Sequence, residues 1–471
     1  MSVHEEALRP ELITIQPIPL DERHGRARDL FTVWFGANLM LLTVVTGGLA
    51  VTQFSLSFGW AALSLVAGNL LGGVFMALHS AQGPRLGVPQ MVQTRGQFGS
   101  LGSLLVVAIV VLMYLGFLAS NLVVGGESFA SIIPGLSESP GIILISVLSI
   151  VAAIYGYDLI HAYTRFMSYV SGALLALAGV WIVWVHGLPS DFLQRNGFNA
   201  IGMLGTVSVA ALWQIAYAPY VSDYSRYMPQ DSGARPAFWA SYWGCTLGSL
   251  LPMLLGAAVG LALPHLPIAK GLTAMLGGIA PLVVVVFSAG LAAASAMNLY
   301  CGALSMLTIG QTLIPSWSPG AQARTSCALI LSALSLLGAL LGRSSFLNNY
   351  TDFILLLLYV LVPWTAINLV DYYLLRHGQY DVASFLRHDG GIYGRINVVA
   401  VLCYCIGIVV QVPFMASPLF TGAIARALGG ADLSWIVGLA LTAPAYFWLA
   451  KRSQARAGVR FDAGIHGALP P

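Results

Sequence analysis

A chain of 471 residues that is 58% hydrophobic and only 8% charged has too few polar residues to cover a soluble globule of that size. Its 21 basic and 18 acidic residues give a formal net charge of +3, and they lie in gaps between apolar stretches instead of forming the basic surface of a nucleic-acid binder. The composition therefore excludes both classes and indicates a helical protein that crosses a membrane many times.

Apolar stretches of about 20 residues alternate with short polar gaps along most of the chain. A helix of that length crosses ~30 Å of hydrocarbon and satisfies its own backbone hydrogen bonds there. We therefore predict an all-α polytopic membrane protein with about twelve transmembrane helices. The predicted spans, numbered one to twelve in chain order, are 30–53, 57–81, 100–124, 140–157, 166–187, 200–222, 236–263, 281–309, 325–342, 350–374, 396–415 and 432–450.

The basic residues predict how these spans are oriented. Seventeen of the 21 Lys and Arg residues fall in segments that are cytoplasmic if both termini are cytoplasmic, as the positive-inside rule requires. The exceptions are Arg195, Lys270, Arg343 and Arg426. We expect a multi-pass protein of the plasma (inner) membrane with cytoplasmic tails at 1–29 and 451–471.

The polar gaps argue against several classes of membrane protein. The longest internal gap, 376–395, is too short to fold as a soluble domain, and no Walker-type loop occurs, which excludes an ATP-driven pump. No metal-ligand cluster, nucleophile–base arrangement or closely spaced carboxylate pair is visible in the sequence. We predict no enzymatic activity, no metal and no cofactor; the oligomeric state is left open.

Span one contains Gly36 and Asn38 near its middle. Transporter sites often lie where a helix breaks at the midplane, because the unwound turn frees backbone dipoles for ions and polar solutes. Glycine-mediated packing between helices explains the same residues. The sequence leaves both interpretations open.

Span six carries Trp213, Gln214 and Tyr217, followed by Pro219, which removes a backbone donor. Aromatic rings beside an amide suit a flat heteroaromatic solute, since the rings cover its faces and the amide reads its edge. Aromatic packing between helices is the alternative interpretation.

Amides at membrane depth recur in spans three and eight. Phe117 and Asn121 are four residues apart and share one helix face, and Asn298 follows the Ala-rich stretch 292–297. An intramembrane Asn is costly unless it is paired, which favours a binding role. A hydrogen bond between helices remains the alternative.

Five acids lie near predicted ends of spans: Asp223, Asp371 and the three acids that are the candidate carriers in the coupling hypothesis, Glu127, Asp158 and Asp352. Water reaches such positions, so each is a candidate proton carrier and equally a candidate interfacial anchor. The sequence does not choose between the two roles.

Short motifs between residues 34 and 373 add a family resemblance. They include WFGAN in span one, GPRLGVPQ and TRGQFG between spans two and three, and GFLASN in span three. The segments, in chain order, are 34–38, 83–90, 94–99, 116–121, 124–127, 156–165, 222–227 and 363–373. Together they resemble the nucleobase:cation symporter-1 family, purine-cytosine permease branch.

The resemblance implies a LeuT-like fold with a transporter core at 30–374. Spans one to five (about 30–187) and six to ten (about 200–374) would form inverted repeats, followed by two additional helices at 396–450. Helices one and six would be broken, with the substrate held between them and helices three and eight.

The resemblance also places substrate-facing positions at Asn38, Phe117, Asn121 and Asn298. Phe117 stands where many members have Trp, which keeps a stacking face but loses an N–H donor. On helix six, Trp213 and Tyr217 compete for the stacking position, with Gln214 adjacent in either register. The predicted substrate-binding residues are Gly36, Asn38, Phe117, Asn121, Trp213, Gln214, Tyr217 and Asn298.

One departure from the family concerns the coupling ion. Sodium-coupled members place adjacent Ser and Thr hydroxyls on helix eight, and counting back from Asn298 puts Ala292 and Ala293 at those positions. Two ligands for Na⁺ would therefore be missing, and we hypothesise coupling to protons through one of the three acids. Ser288 or Ser295 would replace the missing ligands if the register differs.

The function predicted from the family is secondary-active import of a nucleobase by alternating access. The substrate would be cytosine or a purine such as adenine, guanine or hypoxanthine, with ion and solute favouring the same conformations. The alternatives are sodium coupling, or a permease of the same fold for allantoin, hydantoin, uracil or hydroxymethylpyrimidine. A channel would need a continuous polar stripe and a sensor an output domain, and the sequence shows neither.

Overall fold

The computed structural model describes residues 13–155 and 157–456. Extended pairing within these ranges is confined to two isolated bridges, and the rest of the regular structure is helical. In chain order the twelve spans are Ala27–Asn38 with Leu41–Thr52, Phe58–Ser80, Ser103–Ile132, Glu138–Tyr155, Tyr157–Val180, Ala200–Ile215 with Val221–Ser225, Ala234–Ala262, Ala280–Leu313, Ala321–Gly342, Phe346–Leu369, Val398–Val409 and Ser434–Arg456.

Length and composition support these helices as membrane spans to different degrees. Six helical stretches are long and apolar enough to cross a membrane, or seven when the bent pair in span one is taken together. One of them, Ala321–Leu375, covers spans nine and ten, and spans four, six and eleven are shorter apolar helices. The predicted all-α, multi-pass architecture is confirmed.

The loops contain helices that hydropathy did not predict. Gln90–Phe98 forms a short buried helix between spans two and three, and Ile268–Leu276 lies between spans seven and eight. Both were missed because they are too short for an apolar window of membrane length. Span three also continues to Ile132, beyond the predicted end at 124.

Span one is broken directly after Asn38, and its two halves meet at an angle of 61°. Met40 is extended at the break, so the carbonyl of Asn38 is free of the helix ladder. It accepts hydrogen bonds from the Met40 amide (2.9 Å) and the Thr43 hydroxyl (2.7 Å). These contacts satisfy the carbonyl at the end of the first half, and the predicted break in helix one is confirmed.

Span six is broken at residues 216–220, which separate Ala200–Ile215 from Val221–Ser225. Pro219 lies in this stretch and has no amide hydrogen to continue the helix. Tight turns replace the ladder: the amide of Tyr217 donates to the carbonyl of Gln214, and that of Ala218 to Ile215. The predicted break in helix six is also confirmed.

The spans pack as two groups of four. Spans one, two, six and seven contact one another extensively, and spans three, four, eight and nine form the second group. Spans eleven and twelve pack on span ten. Equivalent helices of the two repeats thus lie together, and both broken helices belong to the first group.

Glycines allow the halves of span one to approach their neighbours closely. A Cβ on Gly36 would overlap the Thr164 carbonyl and the Ser168 hydroxyl of span five, and one on Gly47 would overlap Met253 in span seven. Small residues commonly permit such backbone approach in membranes. The packing interpretation therefore holds for Gly36, while the break itself follows Asn38.

Candidate functional site

A cavity of about 360 Å³ lies between the two helix breaks and spans three and eight. Eleven residues line it, most of them apolar: Ala37, Met40, Phe117, Asn121, Trp213, Ala216, Tyr217, Tyr220, Ala294, Met297 and Asn298.

The aromatic walls of the cavity come from spans three and six. Phe117 meets Trp213 edge to face, with centroids 6.1 Å apart, and Tyr217 and Tyr220 extend the aromatic surface, their own centroids 5.4 Å apart. Such rings offer apolar faces to a planar solute at little conformational cost. Trp213 and Tyr217, which the sequence left competing for one position, both line the cavity.

Two amides with unused acceptors also line the cavity, Asn121 from span three and Asn298 from span eight. The Oδ1 atoms of Asn121 and Asn298 are buried and have no hydrogen-bond partner among the described residues. Asn121 Nδ2 donates to the Ser295 hydroxyl at 3.1 Å, which leaves its Oδ1 unused. Because buried polar atoms are nearly always paired in native proteins, these oxygens suit a ligand that brings N–H donors.

Asn38 lies behind the cavity wall and is completely buried. Its Oδ1 accepts hydrogen bonds from Trp213 Nε1 (2.7 Å), the Tyr217 hydroxyl (2.8 Å) and the Ser249 hydroxyl (2.9 Å). Its Nδ2 donates to the Trp34 carbonyl at 2.7 Å. In this structure Asn38 positions the two aromatic side chains and does not line the cavity.

Gln214 and Gly36 also lie outside the cavity lining. Gln214 Nε2 donates to Asn69 Oδ1 at 2.7 Å and to the Ser249 hydroxyl at 3.2 Å, so its amide points between spans two and seven. Gly36 packs on span five, as described above. Five of the eight predicted residues therefore meet at the cavity, and three support its walls.

Sequence reasoning missed six lining residues. Tyr220 follows Pro219 in the break, where no helical periodicity predicts the direction of a side chain; Met40 is extended at the other break. The other four have apolar side chains in apolar spans, so nothing in the sequence distinguishes them from packing residues: Ala37, Ala216, Ala294 and Met297. Proximity to Pro219 was the one sequence feature that could have indicated Tyr220.

Two of the three candidate proton carriers, Glu127 and Asp352, do not line this cavity. Glu127 lines a separate, open cavity of about 1120 Å³ together with Val45 and the loops before spans eight and ten. Asp352 has a buried Oδ1 without a partner among the described residues. The side chain of Asp158 lies outside the described part of the structure.

Span eight offers few oxygen atoms where it faces the break in span one. Ala292 and Ala293 are fully buried and have no side-chain oxygen. The Tyr163 hydroxyl donates to the Ala289 carbonyl at 2.7 Å, so this nearby backbone oxygen already accepts a side-chain hydrogen bond. Of the two alternative hydroxyls, that of Ser288 is buried without a partner in residues 13–155 and 157–456, and that of Ser295 binds Asn121.

Replacement of Phe117 tests the aromatic wall. We expect Phe117→Trp to retain uptake and Phe117→Ala to raise the KM about tenfold, because alanine loses the ring face and the burial it provides. Initial rates over a range of substrate concentrations give both constants. Phe353→Ala is the matched control, since the Phe353 and Phe117 ring centroids are 5.2 Å apart and Phe353 does not line the cavity. Equal KM values for Phe117→Ala and Phe117→Trp would contradict a stacking role.

Comparison with known proteins identifies the family. Residues 17–438 match the family model described as permease for cytosine/purines, uracil, thiamine, allantoin. YxlA of Bacillus subtilis (strain 168), whose name places it among the purine-cytosine permeases, is 37% identical over 96% of this chain and 98% of its own. Purine-cytosine permease fcyB of Emericella nidulans is 24% identical over 89% of this chain and 84% of its own.

A solved structure shows the same fold. Mhp1, a nucleobase-cation-symport-1 family transporter in a closed conformation with bromovinylhydantoin bound, aligns with a TM-score of 0.75 over 93% of this chain and 96% of its own, at 18% identity. This likeness confirms the predicted LeuT-like arrangement of two five-helix repeats and two further helices. The protein is a multi-pass membrane transporter and not an enzyme, and the chain belongs to the family of permeases for cytosine/purines, uracil, thiamine and allantoin.

Proposed function

We propose that this protein imports a nucleobase, cytosine or a purine, by alternating access and in symport with protons. The observation that carries the proposal is the cavity between the broken helices, which is lined by aromatic rings and by two asparagines whose buried Oδ1 atoms have no partner among the described residues. Cytosine and adenine are flat rings whose edges carry N–H donors for such acceptors. The purine-cytosine permeases named among the relatives support the same substrate class.

Proton coupling is the finer part of this proposal. Its support is the lack of a side-chain oxygen at Ala292 and Ala293, together with the engagement of the Ala289 carbonyl by Tyr163. Glu127, Asp158 and Asp352 remain the candidate carriers. Among these, Glu127 lines an open cavity, where protons from bulk water can reach it.

The proposal includes an orientation of the chain in the membrane. Both termini are cytoplasmic, so that span one enters the membrane from the cytoplasm and the loop helix Gln90–Phe98 lies on the same side. The transporter core covers 30–374, and spans eleven and twelve pack against it through span ten. The positive-inside distribution of the basic residues supports this orientation.

Uptake of labelled cytosine into proteoliposomes tests substrate and coupling together. We expect an inward proton gradient at zero sodium to concentrate cytosine, and a sodium gradient at constant pH to leave it at equilibrium. Empty liposomes and a protonophore are the controls. Accumulation driven by sodium alone would contradict proton coupling and indicate Ser288 as a replacement ligand.

Competition identifies the substrate within this class. Unlabelled adenine, guanine and hypoxanthine are tested against cytosine, and then allantoin, hydantoin, uracil and hydroxymethylpyrimidine. Transport of allantoin, hydantoin, uracil or hydroxymethylpyrimidine, with no uptake of cytosine, adenine, guanine or hypoxanthine, would contradict the substrate proposal. The family assignment would be unchanged.

A further inference from the structure

A polar cleft lies outside the central cavity and shares none of its lining residues. It is formed by the loop helix Gln90–Phe98, the end of span eight and the segment that follows span ten. On the proposed topology these three segments are cytoplasmic. The lining residues are Arg95, Ser100, Gln311, Thr312, Pro315, Leu386, Arg387 and His388.

Arg95 is the buried charge of this cleft, with only 3% of its surface exposed. Its guanidinium donates to Thr308 O and Thr312 Oγ1 (both 2.8 Å), and to Gln311 Oε1 (3.0 Å) and Phe385 O (2.7 Å). All four acceptors are neutral. No carboxylate of the described residues forms an ion pair with Arg95, and its Nε has no acceptor there.

The positive charge of Arg95 is therefore held without a counter-ion. Burial lowers the pKa of Arg95 to about 10, since removal from water disfavours the charged form. Neutral acceptors satisfy most of its hydrogen bonds but do not cancel its charge. A bound anion would neutralise the charge of Arg95.

The outer part of the cleft adds further donors. Arg387 and His388 are exposed, and Arg387 forms an ion pair with Asp389 through Nε–Oδ1 (3.0 Å) and Nη2–Oδ2 (2.6 Å). Gln311 accepts from Arg95 through Oε1, which leaves its NH₂ group as a donor. Asp389 neutralises Arg387, so the net positive charge of the cleft comes from Arg95.

We infer that this cleft binds a phosphate group, either inorganic phosphate or the phosphate of an anionic lipid headgroup, between Arg95 and Arg387. Arg95 contributes its uncompensated charge, because the four hydrogens on its Nη atoms are already donated to protein acceptors. The donors available to the phosphate oxygens are those of Arg387 and the NH₂ group of Gln311, and the lining contains no carboxylate. A phosphate bound there bridges the same three segments that Arg95 connects. It therefore stabilises the arrangement in which they are in contact.

Two neighbouring substitutions are expected to change phosphate binding in opposite directions. Arg387→Gln removes a donor and leaves the Asp389 carboxylate without its ion pair. Asp389→Asn releases Arg387 from that ion pair. The asparagine keeps a side-chain oxygen for the hydrogen bond that the Gly391 amide donates to Asp389 Oδ1 at 2.9 Å. We expect the phosphate concentration needed for half-maximal stabilisation to rise about fivefold in Arg387→Gln and to fall about fivefold in Asp389→Asn. All of these side chains are exposed, so folding is retained.

The measurement is the thermal midpoint of the purified full-length protein in neutral detergent, titrated with inorganic phosphate at constant ionic strength. Arg235→Gln is the matched control, because Arg235 is an exposed arginine in the first turn of span seven. A saturable rise in midpoint that follows the predicted order supports a free phosphate ligand.

The second arm replaces free phosphate by nanodiscs of phosphatidylcholine with and without phosphatidylglycerol. Stabilisation by phosphatidylglycerol alone, in the same order of variants, supports a lipid headgroup as the ligand. The inference is overturned if neither ligand stabilises the protein, or if Arg387→Gln, Asp389→Asn and Arg235→Gln respond alike. None of these outcomes depends on nucleobase transport, so the proposed function is tested separately.

Discussion

Asn298→Ala is expected to reduce nucleobase uptake by about 100-fold or more while leaving the protein folded. The Oδ1 of Asn298 is buried at the cavity without a partner among the described residues, so a substrate N–H is the group that would satisfy it. A site built to hydrogen-bond a ring edge loses much of its discrimination when that partner is removed. Initial uptake rates in proteoliposomes, normalised to the amount of inserted protein, measure the effect.

The controls separate binding from stability. Asn349→Ala removes an exposed amide at the start of span ten and is expected to transport like the wild type. The thermal midpoint of Asn298→Ala is expected to remain close to the wild-type value, because the Asn298 Oδ1 makes no protein hydrogen bond in the described structure. Wild-type transport by Asn298→Ala would refute its assignment to the substrate site.

Asn38→Ala is expected to damage both stability and transport. Removal of the Asn38 side chain leaves three buried donors without their acceptor, on Trp213, Tyr217 and Ser249. Each unsatisfied buried donor costs about 1–3 kcal/mol, and the three share one acceptor, so their costs do not simply add. We expect a loss of several kcal/mol in unfolding free energy, seen as a lower thermal midpoint and poor insertion.

A graded series distinguishes this positioning role from direct contact with substrate. Ser249→Ala removes one of the three donors and leaves Trp213 and Tyr217 in place, so it is expected to be nearly neutral. Protein of Asn38→Ala that can be recovered is expected to show a raised KM, since both aromatic side chains lose their orientation. A wild-type thermal midpoint for Asn38→Ala would contradict the role assigned to its Oδ1.

The site divides into residues that sequence reasoning could place and residues that it could not. Asn121 and Asn298 were predicted from their cost at membrane depth, and both lie at the cavity with an unused oxygen. Asn38 and Gln214 have the same chemistry, yet their amides are engaged by other protein groups. Their assignment as substrate contacts stays a prediction, and the Asn38 series above tests it for Asn38.

The helix breaks show the same division. The family resemblance implied that spans one and six are broken. The Gly36–Asn38 region and Pro219 are compatible with breaks there, because small residues weaken a helix and proline lacks a donor. Neither predicted where Tyr220 and Met40 would point. Both residues line the cavity, and both have non-helical backbone conformations.

The sequence by itself determined the order of the spans and the membrane setting, and the family resemblance implied the two breaks. Those properties depend on hydrophobic length and on backbone hydrogen bonding, which are local along the chain. Only the tertiary structure decided which amides have partners, which aromatic side chains form the cavity, and that Arg95 is buried without an acidic neighbour. Those properties depend on contacts between residues more than 100 positions apart, such as Trp213 with Asn38 and Arg95 with Thr308, and periodicity within one helix carries no information about them.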